Sequence, residues 1–335
     1  MKVSVLITTY NLEKYIAETL ESVLNQETNF DFEILVGDDG SRDKTLDIIH
    51  SYMEKDARIQ LFQMPREEGK TYNLVERASA NRLNLLAHAT GTYVSFLDGD
   101  DYYYAKNRLQ ALADVLDDPA NADCSMAAHN LYMGYGDNLV PLMRAKKERK
   151  IAFEEYWPLM FLQANSLLIR NIWKDALPQA PLSSFFDDNM ITFWVFQKGK
   201  MYYLPACMGV YRQVEGSSWN AHDERKQMAS NALGYGLECL LCPEKRGLLD
   251  VRHTMQIAYM MEHHSKPEEL EPFYSSAKKY HAQNPKWFSE TMELYHYETL
   301  SKEQKDVWKK RLAKAKRGYQ LAKIKRGLKK VTKNY

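Results

Sequence analysis

Residues 96–101 read Phe96-Leu97-Asp98-Gly99-Asp100-Asp101 and close the apolar run Tyr93–Leu97. A short apolar run of this kind predicts a buried strand. Three carboxylates at the end of a strand repel each other and need a cation, and the D-x-D spacing lets two of them share one ion. Oxygen ligands suit Mg²⁺ or Mn²⁺, and the glycine between the two acids lets the backbone approach a ligand closely. The stretch therefore indicates a metal–diphosphate site, with an ordinary acidic turn as the alternative.

Strands and helices alternate along the N-terminal part of the chain. The β-branched and apolar runs Val3–Tyr10, Phe32–Val36 and Ile59–Phe62 predict buried strands. Between them, apolar residues recur at the i, i+3, i+4 spacing of amphipathic helices, for example from Leu12 to Leu24. This alternation predicts an α/β protein with a doubly wound, largely parallel sheet.

Three of the predicted strands end in polar or acidic clusters, at Thr8–Asn11, Asp38-Asp39 and Asp98–Asp101. In doubly wound sheets, ligands bind beyond the carboxyl ends of the strands. We therefore expect the three clusters to line one crevice. A single acidic strand end is usually only solvated, but three at one edge favour a ligand site.

The composition is that of a globular protein without a dominant charge. The chain has 335 residues, of which 45% are apolar and 27% charged, and its formal net charge is +1. Such a balance gives no field that would favour nucleic acid. No signal peptide precedes the first predicted strand, no apolar run is long enough for a membrane span, and the four cysteines favour a reducing cytosol. We therefore expect a cytoplasmic protein.

Three segments match one known family in order, spacing and content. They are V-S-V-L-I-T-T-Y-N at 3–11, V-G-D-D-G-S-R-D at 36–43 and G-T-Y-V-S-F-L-D-G-D-D-Y-Y at 91–103. Residues 3–104 thus resemble the nucleotide-sugar domain of glycosyltransferase family 2. The resemblance implies the GT-A fold, with a doubly wound mixed sheet, here followed by a C-terminal helical extension. A dinucleotide fold is not supported, because the first strand–helix turn lacks G-x-G-x-x-G.

The resemblance implies roles at a donor site, position by position. Thr9 and Tyr10 lie where the family's first strand meets the nucleotide base. Asp39 matches the acid that accepts a hydrogen bond from the imide N–H of uracil or thymine, so UDP and dTDP sugars are favoured. Asp98 and Asp100 match the D-x-D pair that binds Mn²⁺ or Mg²⁺. Asp100 is implied as the direct ligand, and Asp98 as the contact for ribose or metal-bound water.

Four more residues near these motifs are candidates for the donor site. Asn81 and Arg82, on the helix before the metal strand, are assigned to nucleotide-sugar binding together with Gly99. Arg82 could reach the diphosphate, although a surface arginine is the commoner explanation. Asp101, the third acid of the stretch, is an additional candidate.

An acidic pair, Asp187-Asp188, lies eleven residues before Gly199, as the Glu-Asp pair does in the family. The second acid is the family's general base, which implies Asp188 as the catalytic base and Asp187 as an additional site residue. Aromatic neighbours could desolvate the carboxylate and raise its basicity. The alternative is that both acids only cap the helix that follows.

The pair Tyr211-Arg212 matches a closing strand of the family and adds Arg212 to the candidates. Many relatives place a histidine two residues after this arginine, near the metal and the diphosphate, whereas Val214 stands there in this chain. Whether His222 replaces that histidine is left open by the sequence. The Q-x-x-R-W signature of processive polysaccharide synthases is absent, so we expect transfer of one sugar per encounter.

These patterns divide the chain into a nucleotide-sugar-binding half at 1–105, an acceptor-binding half at 106–221, a helical extension at 222–308 and a basic amphipathic tail at 309–335. Within the acceptor half, residues 138–150 are predicted as a basic loop, either solvated or closing over a phosphate-bearing acceptor. The tail holds twelve lysines or arginines and no acid. We expect it to bind an anionic membrane at its cytoplasmic face. A solvated tail, or a helix on an acidic patch of its own domain or of a partner subunit, is the alternative.

The patterns together predict an inverting, metal-dependent glycosyltransferase. It would move one sugar from a nucleotide-diphosphate sugar to a hydroxyl of a growing, lipid-linked surface glycan, without a nucleic-acid partner. One alternative is a non-catalytic binding or scaffold protein of the GT-A fold. Another is a sugar nucleotidyltransferase, which would normally carry a Gly-rich basic loop where this chain has Thr8–Asn11.

Overall fold

The computed structural model describes most of the N-terminal two thirds of the chain and short pieces of the remainder. The described residues are 1–70, 72, 74–143, 146–157, 161–179, 185–214, 231, 234–235, 238, 241–245, 299–311, 313–314, 317 and 321. The chain divides into one unit of residues 1–153 and 162–217 and a second of residues 154–161 and 218–335. His222 and most of the tail lie outside the described residues.

The first half of the larger unit alternates strand and helix, as predicted. Its elements are β1 (Val3–Thr9), α1 (Ile16–Leu24), β2 (Phe32–Asp38), α2 (Thr45–Met53), β3 (Ile59–Gln63), α3 (Leu74–His88) and β4 (Tyr93–Asp98). The strands β1 and β2 are buried on both faces, which explains why they read as continuous apolar runs. The helix α1 buries Ile16, Leu20 and Val23 against the sheet, in agreement with its apolar periodicity.

The second half contains more strands than helices. Its elements are β5 (Tyr102–Tyr103), α4 (Arg108–Asp117), β6 (Cys124–Tyr135), β7 (Asn138–Pro141), β8 (Arg149–Ile151), β9 (Leu167–Arg170), α6 (Asp188–Phe196) and β10 (Lys200–Arg212). The short helix α5 (Phe153–Tyr156) belongs to the smaller unit except for its first residue. Helix α6 begins where the Asp187 carboxylate accepts a hydrogen bond from the Met190 N–H at 2.9 Å.

The strands form one mixed sheet in the order β3-β2-β1-β4-β9-β6-β10-β5, with β7 beside β6 and β8 beside β10. The first four strands of the chain pair in parallel, whereas β9 is antiparallel to both β4 and β6. Thr8 of β1 pairs with Gly37 on one side and with Asp98 on the other. The polar ends of these three strands therefore lie at one level, as the sequence predicts for a common crevice.

The prediction of a basic loop over residues 138–150 is wrong for the two ends of that segment. Its two ends form β7 and β8, which pair with β6 and β10. The Lys150 side chain is held by the protein, because its Nζ donates to the Asp123 carboxylate and to the Ala120 carbonyl, each at 2.5 Å. Short polar strands lack apolar alternation, so their pairing depends on the neighbouring strands and escapes a sequence pattern.

The described pieces of the smaller unit are mostly helical. A helix covers residues 302–311, and its Trp308 is buried, with the Arg311 guanidinium 4.7 Å from the centre of the ring. Of the helices that the structure describes, none combines the length and the apolar character required to cross a bilayer.

Candidate active site

The turn that follows β4 is held by neighbouring elements. The Gly99 N–H donates to the Thr8 carbonyl of β1 at 2.8 Å. The Thr19 hydroxyl of α1 lies 2.8 Å from the Gly99 carbonyl oxygen, and Arg212 Nη1 of β10 donates to the Asp100 carbonyl at 2.6 Å. These contacts fix the backbone of the turn and so direct its carboxylates.

The glycine in this turn has a packing reason in the structure. A Cβ atom at Gly99 would lie 3.0 Å from the Thr8 carbonyl oxygen and 3.0 Å from Leu12 Cδ1. A larger residue would therefore push the turn away from β1. The predicted close approach of a ligand to Gly99 stays a prediction.

Asp101 is fully buried, and its carboxylate is occupied by protein donors. It accepts hydrogen bonds from the Arg212 N–H at 2.8 Å, from Gln163 Nε2 at 2.9 Å and from Asn165 Nδ2 at 3.0 Å. The three donors leave this carboxylate little capacity for a metal. Burial, together with repulsion from Asp100 and Asp98, raises the pKa of Asp101 well above its ordinary value, and the hydrogen bonds oppose that shift. The contacts give Asp101 a structural role and bring in two amides that sequence reasoning missed, because amides before a strand carry no distinctive pattern.

Asp98 and Asp100 differ in their partners. Asp98 Oδ1 accepts from the Thr8 hydroxyl at 2.9 Å and from Arg82 Nη2 at 3.0 Å. No other residue that the structure describes donates a hydrogen bond to the carboxylate of Asp100. Burial is the main cause, and repulsion from Asp98 the second, that raise the pKa of Asp100 to about 6. A bound cation would offset this repulsion and stabilise the ionised carboxylate.

Arg82 lies between the turn and the predicted base. Its guanidinium is buried, 3.0 Å from Asp98 Oδ1 and 3.6 Å from Asp188 Oδ1, and Nη1 donates to the Phe186 carbonyl at 3.4 Å. The arginine is therefore not a surface residue. It joins two acids that are 90 residues apart in the chain, and its predicted contact with a diphosphate stays a prediction.

The acidic pair at the start of α6 separates into two roles. Asp187 caps the helix, as described above, whereas Asp188 lies in the first turn, and its Oδ1 has no hydrogen-bond partner among the described residues. Burial raises the pKa of Asp188 to about 7, although Arg82 opposes the shift. The neighbouring Phe186 ring packs against Phe96 and supplies part of the apolar surroundings. A group with this pKa can accept a proton near neutral pH.

At the end of β2, the two neighbouring acids also differ. Asp38 accepts from the N–H groups of Gly40 and Ser41, each at 2.9 Å, and so closes the turn. Asp39 projects toward two arginines that sequence reasoning missed. Arg77 Nε donates to Asp39 Oδ1 at 2.6 Å, and Arg66 forms an ion pair with the other oxygen. The two ion pairs hold the Asp39 carboxylate at the edge of the sheet where the nucleotide base is predicted to bind.

The remaining candidates of the donor side lie near this cluster. The Tyr10 ring is stacked under Arg66, with 3.8 Å between the guanidinium carbon and the centre of the ring. Thr9 is buried, and its hydroxyl has no hydrogen-bond partner among the described residues. Asn81 donates to the Gly37 carbonyl at 2.8 Å and thereby attaches α3 to β2. Asn81 therefore has a structural role, and its predicted role in donor binding stays a prediction.

Arg212 reaches the site from the end of β10. Its guanidinium lies 4.7 Å from the centre of the Tyr102 ring and 5.2 Å from that of Tyr15, and it forms an ion pair with Glu18. Arg212 thus supports the turn through the Asp100 carbonyl, and its predicted place among the residues of the ligand site stays a prediction. The question about His222 lies outside the described residues.

Comparison with known proteins identifies the family of the chain. A family model described as glycosyl transferase family 2 matches residues 4–174, about half of the chain. The chain belongs to this family. Among the curated relatives, the GalNAc(5)-diNAcBac-PP-undecaprenol beta-1,3-glucosyltransferase of Campylobacter jejuni is 26% identical over 63% of this chain and 64% of its own length. An uncharacterized glycosyltransferase of Haemophilus influenzae is 36% identical over 30% of this chain and 36% of its own length.

Solved structures support the fold of this family 2 member. Residues 1–349 of S. aureus TarS in complex with UDP superpose with a TM-score of 0.58 and 20% identity, over 96% of this chain and 92% of that one. The complex of the same TarS fragment with UDP-GlcNAc gives a TM-score of 0.56 and 22% identity, over 88% and 78% of the two chains. At this identity the likeness shows the GT-A architecture, and the architecture predicted from the sequence is confirmed.

Proposed function

We propose that the protein transfers one sugar from a nucleotide-diphosphate sugar to a hydroxyl of a growing surface glycan, with inversion at the anomeric carbon. The observation that carries the proposal is the arrangement around Arg82. This arginine lies 3.0 Å from Asp98 and 3.6 Å from Asp188, so the donor-side turn and the proposed base belong to one site. A scaffold protein of the same fold would have no need for a buried acid with a pKa of about 7 at this place.

In the proposed reaction, Asp188 accepts the proton of the acceptor hydroxyl. The acceptor oxygen forms a bond with the anomeric carbon while the bond from that carbon to the diphosphate breaks, and the nucleotide diphosphate leaves with the electron pair. The base must be ionised to act, and its pKa of about 7 makes a large fraction ionised at neutral pH. Arg82 favours the ionised form through its positive charge.

The residues present fit a divalent cation. Asp100 offers a carboxylate without another described donor, and Asp98 lies close enough to raise its pKa. Among the described residues, no group of three or more histidines, cysteines or acids is arranged to hold a metal ion by itself, so water and diphosphate oxygens would complete the coordination, as is usual for Mg²⁺. Asp98 and Asp100 would hold Mn²⁺ or Mg²⁺. When bound, the ion would neutralise charge on the leaving diphosphate.

The proposal is tested with a panel of nucleotide sugars in the presence of Mn²⁺. We expect UDP or dTDP sugars to raise the unfolding temperature and to be hydrolysed slowly without an acceptor. A scaffold protein would bind a donor without hydrolysing it, and a nucleotidyltransferase would release diphosphate from a nucleoside triphosphate. Either result would replace the proposal.

A first prediction concerns Asp39 and the preference for uracil or thymine as the nucleotide base of the donor. Replacement of Asp39 by alanine is expected to weaken UDP binding about 10- to 150-fold, because a hydrogen bond to a charged group is worth roughly 1.5–3 kcal/mol. The rate at saturating donor should change much less. Titration with UDP and with CDP checks the cause, since cytosine lacks the imide N–H. The wild type should prefer UDP, and the variant should lose that preference; a preference that survives would contradict the assignment.

The division of the chain remains part of the proposal. We assign residues 1–105 to the donor and 106–221 to the acceptor, with 222–308 as a helical extension. The basic tail at 309–335 is proposed to bind the anionic inner face of a membrane, where a lipid-linked acceptor would lie. Its support is the charge pattern of twelve cations without an acid. Each cation near an anionic surface contributes about 1 kcal/mol.

Flotation with liposomes is expected to separate the full chain from a chain that ends at Trp308. The full chain should float with anionic vesicles at low salt, should remain behind with zwitterionic vesicles, and should be released by salt, which screens the charges. The shortened chain should not float with either. Equal flotation of the two chains, or absence of the full chain from anionic vesicles at low salt, would show that the tail is not the anchor.

A further inference from the structure

Three strands at the C-terminal edge of the sheet carry a row of apolar side chains. In the register of β10 and β6, Tyr211 pairs with Met133, and in the register of β6 and β7, Met133 pairs with Val140. Register partners project from the same face of a sheet, and side chains alternate along a strand, so Tyr135 shares this face. Neighbouring strands are about 4.8 Å apart, so the row extends roughly 10 Å from Tyr211 to Val140.

The inner end of the row lies beside the carboxylate turn. The N–H of Arg212, the residue that follows Tyr211, donates to Asp101 Oδ1 at 2.8 Å, and Gln163 Nε2 donates to Asp101 Oδ2 at 2.9 Å. Burial, together with the acids of the site, raises the pKa of Tyr211, as expected for a phenol near carboxylates. The row therefore begins beside the carboxylate turn of the proposed active site.

The outer end of the row is exposed. Tyr135 is 55% exposed and Val140 is 44% exposed, although both lie on a paired hairpin. The hairpin turns through Gly136, whose φ of +60° suits a tight turn, so Tyr135 is presented by an ordered backbone. Exposed apolar side chains grouped beside a polar site indicate a binding surface.

We propose that Tyr211, Met133, Val140 and Tyr135 form an acceptor row that binds successive pyranose rings of the acceptor glycan. The inference rests on the proposed function. The nucleotide base of the donor is assigned to the ends of β1 and β2, on the other side of the carboxylate turn. The acceptor glycan would therefore extend from Asp188 toward the row. None of the four side chains is charged, which fits neutral sugar rings better than phosphate. The C–H face of a pyranose packs on apolar and aromatic surfaces, and a tyrosine adds a hydroxyl for hydrogen bonds at a low cost in entropy.

The test uses the full chain and p-nitrophenyl glycosides of one to four pyranose units as acceptor probes. Wild-type protein should show a lower KM for longer probes. Tyr135→Ala should raise the KM of the four-unit probe about three- to tenfold, the equivalent of the 0.5–1.5 kcal/mol gained by an aromatic contact. The KM of the one-unit probe, the affinity for UDP and donor hydrolysis should remain unchanged, because none of these reaches the outer end of the row.

Tyr104→Ala is the matched control. Tyr104 is 52% exposed on the same edge of the sheet, but it packs against Tyr132 at 5.1 Å between ring centres, and Tyr132 faces away from Met133. We expect the KM of this variant to fall with longer probes as it does in the wild type. The acceptor row is contradicted if the KM of an active wild type does not fall with longer probes, or if both variants lose this dependence on probe length equally. Absence of any nucleotide-sugar turnover would contradict the proposed function itself.

Discussion

Replacement of Asp100 by asparagine is expected to abolish sugar transfer and to leave the fold intact. The change removes a charged ligand and almost no volume. Folding raises the pKa of Asp100 from 3.8 to about 6, so its ionised form costs free energy of folding. That cost is absent below the ordinary value of 3.8 and complete above about 6. The unfolding temperature of the variant should therefore equal that of the parent near pH 3.5 and exceed it at pH 7.5.

Thermal unfolding at the two pH values, with and without Mn²⁺ and UDP, measures both effects. The added stability from Mn²⁺ with UDP should disappear in the variant. Asp101→Asn is the contrasting control, because an asparagine amide would face the donors of Gln163 and Asn165, which hold the carboxylate at 2.9 and 3.0 Å. That variant should unfold at a lower temperature. Full turnover by Asp100→Asn in EDTA would overturn the metal assignment.

Replacement of Asp188 by asparagine is expected to lower turnover by about 10²–10⁴-fold, the usual range for loss of a general base. The affinity for UDP should remain nearly unchanged, because the base acts on the acceptor. Burial raises the pKa of Asp188 to about 7, and only its ionised form accepts a proton. In the wild type, turnover should therefore rise with pH through about 7 and then level off, whereas the variant should lack this rise.

Asp187→Asn is the matched control for the base. Asparagine caps a helix about as well as aspartate, so the bond to the Met190 N–H and the start of α6 should be retained. Turnover of this variant should stay within a few-fold of the parent, with the same pH profile. If Asp188→Asn loses affinity for UDP and keeps its rate, Asp188 belongs to the donor site and the base is another residue.

Much of the fold could be predicted from local patterns. Apolar periodicity placed β1 to β4 and their helices, and the acidic ends of the strands indicated where a ligand would bind. Such patterns are informative because a strand buried on both faces must be apolar along its length. The same reasoning failed at the two ends of residues 138–150, where short polar strands are stabilised by pairing with β6 and β10. The assignments of Asp39, Asp100 and Asp188 remain predictions for the experiments above.

The sequence by itself determined the α/β alternation and the family to which the chain belongs. It also determined that the polar ends of three strands lie together at one edge of the sheet. Only the tertiary structure decided which acids are occupied by protein donors. Arg66 and Arg77 reach Asp39 across 27 and 38 residues, and Gln163 reaches Asp101 across 62. Hydrogen bonds and ion pairs of this kind depend on side-chain positions that packing sets at a distance, whereas strand and helix periodicity is written in neighbouring residues.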